Sequence, residues 1–281
     1  IAASFPEYFL KKYPDIIIAR GEGENTMTDL VDFVKGKKKL EEVSGIITEY
    51  KDKIMVTPLK PVDMDDLPPP AFDTVEKLAE LKGALTHEWN RGCFWQCSFC
   101  LRHHKPRCFK GMSPKTIVSQ LKYFNDVMNR FSQLSRHLYI ADEETIGGVD
   151  ESETKRLIEI AKGIIRNKIK ISFDAYTRID QIYNPKMAKK WHVNRMKMRY
   201  LLKKAGLARV FVGVESGSRT QLMRYGKGIT PEQSIMAIRL LSCMGIGFRI
   251  GFIMFDPLMN LQKLIENILF LERKDVLMKN V

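Results

Sequence analysis

From residue 85 to residue 273 the chain repeats a two-part pattern, and this alternation limits its fold more than any other feature. A short apolar run of strand character is followed each time by a longer segment with apolar residues at helical spacing. Strands are predicted at 85–89, 137–141, 169–175, 208–214 and 248–255. Helices are predicted at 114–131, 152–167, 185–205, 231–244 and 261–273. Ser113 is placed to cap the first helix, and Gly206 and Gly245 to end the third and fourth. Strands that alternate with helices pair in parallel, because each crossover returns the chain to the same end of the sheet. The fold class is therefore α/β, most simply a barrel or part of one. A further strand is expected after the fifth helix, so the C-terminus reads as cut short. Ile1 in place of Met points to a missing segment upstream.

Residues 1–60 read as the end of a separate α/β unit. It holds a short apolar run at 15–19, the turn Arg20-Gly21-Glu22-Gly23-Glu24-Asn25, and a helix over 26–34 carrying Met27, Leu30, Val31 and Phe33. Residues 43–50 and 53–58 then alternate and are predicted to pair across Lys51-Asp52. Pro61, Pro68, Pro69 and Pro70 remove backbone donors and favour extended chain, so 61–82 reads as a linker. The barrel segment is 83–281.

The formal net charge of +13 raises a nucleic-acid partner. The lysines are spread, however, over helix ends and solvated faces such as 186–190, with no basic patch interleaved with aromatics, so nucleic acid is not favoured. No apolar run is long enough to cross a membrane. Five cysteines, three of them clustered, do not make a disulfide framework and fit a reducing, cytoplasmic setting.

The clustered cysteines stand in Arg91-Gly92-Cys93-Phe94-Trp95-Gln96-Cys97-Ser98-Phe99-Cys100. Three thiolates can hold three corners of an iron–sulfur cube and leave the fourth iron open, whereas a closed zinc site takes four ligands. Cys108 is either a fourth ligand or a free thiol, and His103 and His104 are either ligands, proton donors or exposed loop residues. Arg91, Arg102, His103, His104, Lys105 and Arg107 place positive charge around the loop, which favours thiolates. Function in such barrels collects where strands end. Asp142-Glu143-Glu144 follow the second strand, Asp174, Tyr176 and Arg178 the third, Glu215-Ser216-Gly217 the fourth and Asp256-Pro257 the fifth.

Gly-Cys-x3-Cys-x-Phe-Cys ahead of a βα repeat resembles the radical S-adenosylmethionine (SAM) superfamily. The resemblance implies a [4Fe–4S] cluster on Cys93, Cys97 and Cys100, with SAM chelating the open iron. One-electron cleavage of SAM would then release a 5′-deoxyadenosyl radical. It also implies Phe99 beside the adenine, with core packing the alternative. Val212-Gly213-Val214-Glu215-Ser216-Gly217-Ser218 with Lys227 is similar to the fourth-strand signature of elongator-like and cobalamin-linked members. There Glu215 would touch SAM and Lys227 its carboxylate, a surface ion pair being the alternative. Asp142 or Glu143 matches the acidic segment that handles the SAM amino group, although the family's Gly-Gly-Glu form is absent. Arg178 resembles the Arg-x-Asp after the third strand, or closes the barrel rim as a salt bridge.

The N-terminal turn with Asp65-Asp66-Leu67-Pro68-Pro69-Pro70 resembles the junction in cobalamin-linked radical SAM proteins, of the magnesium-protoporphyrin ester cyclase and class B methyltransferase type. It implies that 1–60 ends a Rossmann-like cobalamin-binding domain, with cobalamin a candidate third cofactor. The expected function is cobalamin-linked methylation or rearrangement of a small molecule, with flavodoxin or ferredoxin as electron donor. The alternatives are a methylthiotransferase acting on tRNA or protein, and a zinc-holding nucleic-acid-binding module using the three cysteines and a histidine.

Overall fold

A computed structural model describes residues 2–100, 109–273 and 275. They form two compact units that divide between Pro68 and Pro69. The first unit holds helix α1 (Pro6–Lys12), strand β1 (Ile18–Ala19), helix α2 (Gly23–Val34) and strands β2 (Ile46–Tyr50) and β3 (Lys53–Val56). The three strands form an antiparallel sheet in the order β1-β2-β3. Leu10, Ile18 and Ile47 form a small core there. The expected hairpin forms with Tyr50 opposite Lys53. Lys51 and Asp52 both take positive φ, as a two-residue turn matched to strand twist requires. The segment 61–82 is more structured than a proline linker. Its two turns, Met64–Asp66 and helix α3 (Val75–Glu80), bury Met64, Val75 and Ala79.

In the second unit, strands β4 (Thr86–His87), β5 (Asn90–Arg91) and β6 (Lys110–Gly111) precede helix α4 (Pro114–Arg130). Then come β7 (His137–Ile140), α5 (Glu151–Arg166), β8 (Ser172–Arg178), α6 (Lys189–Lys204), β9 (Leu207–Glu215), α7 (Arg219–Arg224), α8 (Pro231–Cys243), β10 (Gly247–Phe252) and α9 (Leu261–Leu271). The sheet order is β4-β7-β8-β9-β10, parallel throughout, so each crossover returns the chain to the neighbouring strand. One face is closed by apolar side chains. Leu138, Ile140, Phe173, Ala175, Val210, Val212 and Val214 are buried with Ile117, Leu121, Phe124 and Met128 of α4 and Leu157, Ile160 and Ile164 of α5. Each of these side chains except Ala175 contributes about 1.5–3 kcal/mol on burial. The opposite face of β9 carries Phe211, Gly213 and Glu215, alternating with the buried valines.

Caps fix where these helices start. The Ser113 hydroxyl accepts from the Thr116 N–H at 3.2 Å, and Asp150 accepts from the Glu153 N–H at 2.9 Å. Thr230 and Gln233 satisfy each other's backbone N–H groups reciprocally at the start of α8.

Several boundaries differ from the predicted ones, and in three elements the physical reason is visible. The predicted strand 169–175 runs instead from Ser172 to Arg178. Lys168 takes positive φ and the Ile169 N–H bonds back to the Ile164 carbonyl, so 169 still closes α5. Asp174, Tyr176 and Arg178 thus lie within the strand, with Arg178 its last residue. The predicted strand 85–89 is cut to Thr86–His87, because the Asp142 carboxylate takes the N–H groups of Trp89 and Asn90. Helix α6 starts at Lys189 rather than 185, since Asn184 closes a turn by accepting from the N–H groups of Lys186 and Met187.

At the end of α6, Gly206 has φ +115°, and an added Cβ would lie 2.2 Å from the Ile171 carbonyl oxygen. Gly206→Ala must therefore bend backbone as well as accept a disfavoured conformation. We expect a stability loss of about 3 kcal/mol or more, read from urea unfolding of the full chain.

Candidate active site

The parallel sheet brings the C-terminal ends of its strands to one edge, and the predicted site residues gather there. The cysteine loop leaves β5 through Gly92, whose φ is +82°. Cys97 is 9% exposed, while Cys93 and Cys100 are half-buried. A tight turn joins two of them, the Cys100 N–H donating to the Cys97 carbonyl at 3.0 Å. The loop is held from α7. Ser98 donates its N–H to the Tyr225 carbonyl at 3.0 Å and its hydroxyl to the Arg224 carbonyl at 2.8 Å. These carbonyls lie at a helix C-terminus, where they lack partners inside the helix.

Arg178, at the end of β8, reaches this loop. Its Nη1 donates to Cys97 Sγ at 3.1 Å, and its guanidinium lies over the Trp95 ring, 4.1 Å from the centroid. Nε and Nη2 donate to the two Asp180 carboxylate oxygens at 3.0 Å each, and Nη2 also donates to the Lys227 carbonyl. Burial pushes the Cys93 thiol up, and the nearby Glu144 and Cys97 push it further in the same direction. Metal binding must therefore displace a proton there.

Glu215, Lys227 and Phe99 come together from distant parts of the chain. Lys227 Nζ donates to Glu215 Oε1 at 3.1 Å and lies 5.8 Å from the Phe99 ring centroid. Lys227 is only 3% exposed, so this is no surface ion pair. The space it occupies depends on Gly213, where a Cβ would meet Glu215 Oε1 at 2.5 Å and Lys227 Nζ at 2.9 Å. Glu215 itself has φ +66°, a left-handed conformation that is strained for a residue with a side chain. The register of β9 against β10 shifts at the same place, where Phe252 pairs with Glu215. The Phe99 ring meets Tyr225 edge-on at 5.3 Å.

The partners that complete the site were not visible in the sequence, although Asp256 and Ser216 stood at predicted strand ends. The Asp256 carboxylate accepts from Gln221, Arg224 and Tyr225, and so ties the top of β10 to α7. Gln221 also joins Ser216 and Asn267 in a buried network. Trp95 and Ser98 stood inside the cysteine motif, but nothing in their spacing indicated their partners. Cys108, His103, His104, Arg102, Lys105 and Arg107 lie outside the described residues. Among the described residues, no three His, Cys, Asp or Glu side chains converge on a single-ion site. A cubane differs in this respect, since each thiolate takes its own iron. Three thiols on one loop, with a guanidinium on one sulfur, suit that donor set.

The second-strand acids divide. Asp142 accepts from the Trp89 N–H at 2.8 Å, the Asn90 N–H at 3.0 Å and Asn90 Nδ2 at 2.9 Å. Its carboxylate is thereby occupied in joining β5 to the end of β7. Glu143 is half-buried and Glu144 is buried. Burial pushes Asp142 up to about 7 and Glu144 up to about 8, despite the hydrogen bonds each accepts. In the unfolded chain a glutamate ionises above about pH 4.3, so between there and about 8 the native state binds more protons than the unfolded one. Glu144 thus costs stability as pH rises through that window, by up to about 1.4 kcal/mol per pH unit. Glu144→Gln should flatten this decline, as read from urea midpoints between about pH 5 and about pH 8.

A model described as the radical SAM superfamily matches residues 88–271, well over half of the chain. The 4′-phospho-dehydrooxetanocin synthase of Priestia megaterium is 42% identical over 283 residues, covering 98% of this chain and 38% of the synthase. The anaerobic magnesium-protoporphyrin IX monomethyl ester cyclase of Rubrivivax gelatinosus is 28% identical over 255 residues, covering 87% of this chain and 42% of the cyclase. The cobalamin-dependent SAM radical enzyme OxsB, solved with aqua-cobalamin and SAM bound, superimposes with a TM-score of 0.94 at 42% identity. That match covers 100% of this chain and 39% of OxsB, so the chain spans about two fifths of the relatives' length. The zinc-holding nucleic-acid module is overturned by these matches, which extend over the βα repeats that reading left unexplained. The chain belongs to the radical SAM superfamily, enzymes that work with a [4Fe–4S] cluster and SAM.

Proposed function

We propose that this chain carries the SAM-cleaving centre of a cobalamin-dependent enzyme that methylates or rearranges a small molecule. One observation carries the reading: Lys227 lies between the Glu215 carboxylate and the Phe99 ring, beside the loop that bears Cys93, Cys97 and Cys100. The three cysteines would hold the cluster. When bound, it supplies the electron that cleaves SAM into methionine and a 5′-deoxyadenosyl radical.

The residues around it have separable roles. Phe99 offers its face to the adenine, braced from the side by Tyr225. Lys227 carries the positive charge for the SAM carboxylate, and Glu215 orients it through their 3.1 Å bond. Asp142 or Glu143 is proposed for the SAM amino group, the Asp142 carboxylate being held in place by Trp89 and Asn90. The buried apolar layer beneath excludes water from one side of the site.

Residues 1–60 are proposed as the end of a cobalamin-binding-like domain, 61–82 as its connection and 83–281 as the barrel segment. The relatives support this layout, since OxsB binds cobalamin and covers the whole of this chain. Their names, a synthase and a cyclase, favour chemistry on a small molecule over modification of tRNA or protein. A flavodoxin- or ferredoxin-type protein is the proposed electron donor, in the cytoplasm. Among the described residues, no helix is long and apolar enough to cross a membrane.

Anaerobic reconstitution of the full-length protein should yield about four iron per chain and reductive SAM cleavage. Bound zinc with no SAM cleavage would refute the reading. Cys97→Ala should abolish both cluster content and cleavage. Glu215→Gln should keep the iron content and weaken SAM binding about tenfold, about 1.4 kcal/mol, the scale of a lost charge-assisted bond.

A further inference from the structure

Arg178 is aimed at a cysteine sulfur. A guanidinium has five N–H donors in a rigid plane. Nε is used by Asp180, the two Nη2 donors by Asp180 and the Lys227 carbonyl, and one Nη1 donor by Cys97 Sγ at 3.1 Å. Among the described residues a single N–H finds no acceptor, and the paired grip by which arginine holds a carboxylate is already spent on Asp180. The plane is clamped as well, with Trp95 on its face at 4.1 Å and the residue only 6% exposed. Its charge is matched by Asp180, 7% exposed. The arrangement is a buried, neutralised pair whose free edge points at one sulfur.

We propose that Arg178 is a positioning and tuning residue for the iron–sulfur cluster: its N–H bond to the Cys97 thiolate raises the cluster's reduction potential and fixes the loop, while SAM is bound by other groups. The inference rests on the cluster assignment made above. Reduction adds one electron, delivered by a low-potential flavin or iron–sulfur protein, and no proton. The added negative charge spreads onto the sulfur ligands, and hydrogen bonds to those sulfurs are among the factors that set the potential. A donor held at 3.1 Å by Asp180 and Trp95 needs no rearrangement when that charge arrives. The same side chain bonds the Lys227 carbonyl, so one group joins the cysteine loop to the segment carrying Lys227.

The test compares wild type with Arg178→Gln/Asp180→Asn, which removes both buried charges together, and with Arg178→Lys, which keeps the positive charge but loses the planar fork. Full-length proteins are reconstituted anaerobically. Midpoint potentials come from redox titration followed by electron paramagnetic resonance, and SAM affinity from equilibrium binding. In the double variant the reduced-to-oxidised ratio at fixed potential should fall about tenfold, a midpoint lower by about 59 mV. SAM affinity should change less than threefold. Arg178→Lys should shift the midpoint the same way by a smaller amount, and it decides the matter if the double variant holds no iron. An unmoved midpoint in a variant that holds its cluster overturns the proposal, as does a tenfold loss of SAM affinity at wild-type potential. A wild-type protein that takes up no cluster overturns both this inference and the functional reading beneath it.

Discussion

Parallel pairing is the constraint on which the rest of the second unit depends. Strands that all run one way must end on one edge, and the chain must return through a helix each time. That edge is also where the ladder runs out of partners. Backbone N–H groups beyond the last paired residue need acceptors, and buried ones left unpaired are costly. At the first strand the acceptor is Asp142, which takes over from the ladder directly after His87 and turns the chain towards the cysteine loop. The site exists because the sheet's unfinished hydrogen bonding is completed by side chains at its C-terminal edge.

Those side chains are charged and buried, so each needs a partner or a proton. Arg178 has Asp180 and Lys227 has Glu215, both as ion pairs. Among the described residues, Asp142 and Glu144 have no cation at bonding distance, and burial pushes both towards the neutral form. Local backbone strain sits in the same region, at Glu215, where β9 and β10 change register. Such a conformation persists only when the surroundings hold it, and here Lys227 and the Ile253 N–H do so.

Much of this frame was legible beforehand. Apolar periodicity marked all five repeats, and Ser113, Gly206 and Gly245 marked helix ends through local chemistry that needs no tertiary context. The errors have a common cause. Ile169, Ile171, Phe173 and Ala175 alternate without a break, so periodicity alone could not place the start of the strand at Ser172. The register was decided by Ile169 closing α5 and by pairing of Ser172 with His137. Likewise Asp142 carried the right charge for a ligand, but only the fold showed its oxygens facing Trp89 and Asn90.

The sequence by itself determined the alternation, the three-thiol spacing and the acidic and basic residues near strand ends, because these depend on neighbours within a few positions. Tertiary structure decided which of those residues meet. Cys97 and Arg178 are separated by 81 positions and meet at 3.1 Å. No local signal encodes that distance, because it follows from strands that end at one edge of a parallel sheet, with β7 between β4 and β8, and from buried donors seeking the nearest acceptor. The cysteines announced themselves in the chain; the guanidinium that faces one of them was assigned only by the fold.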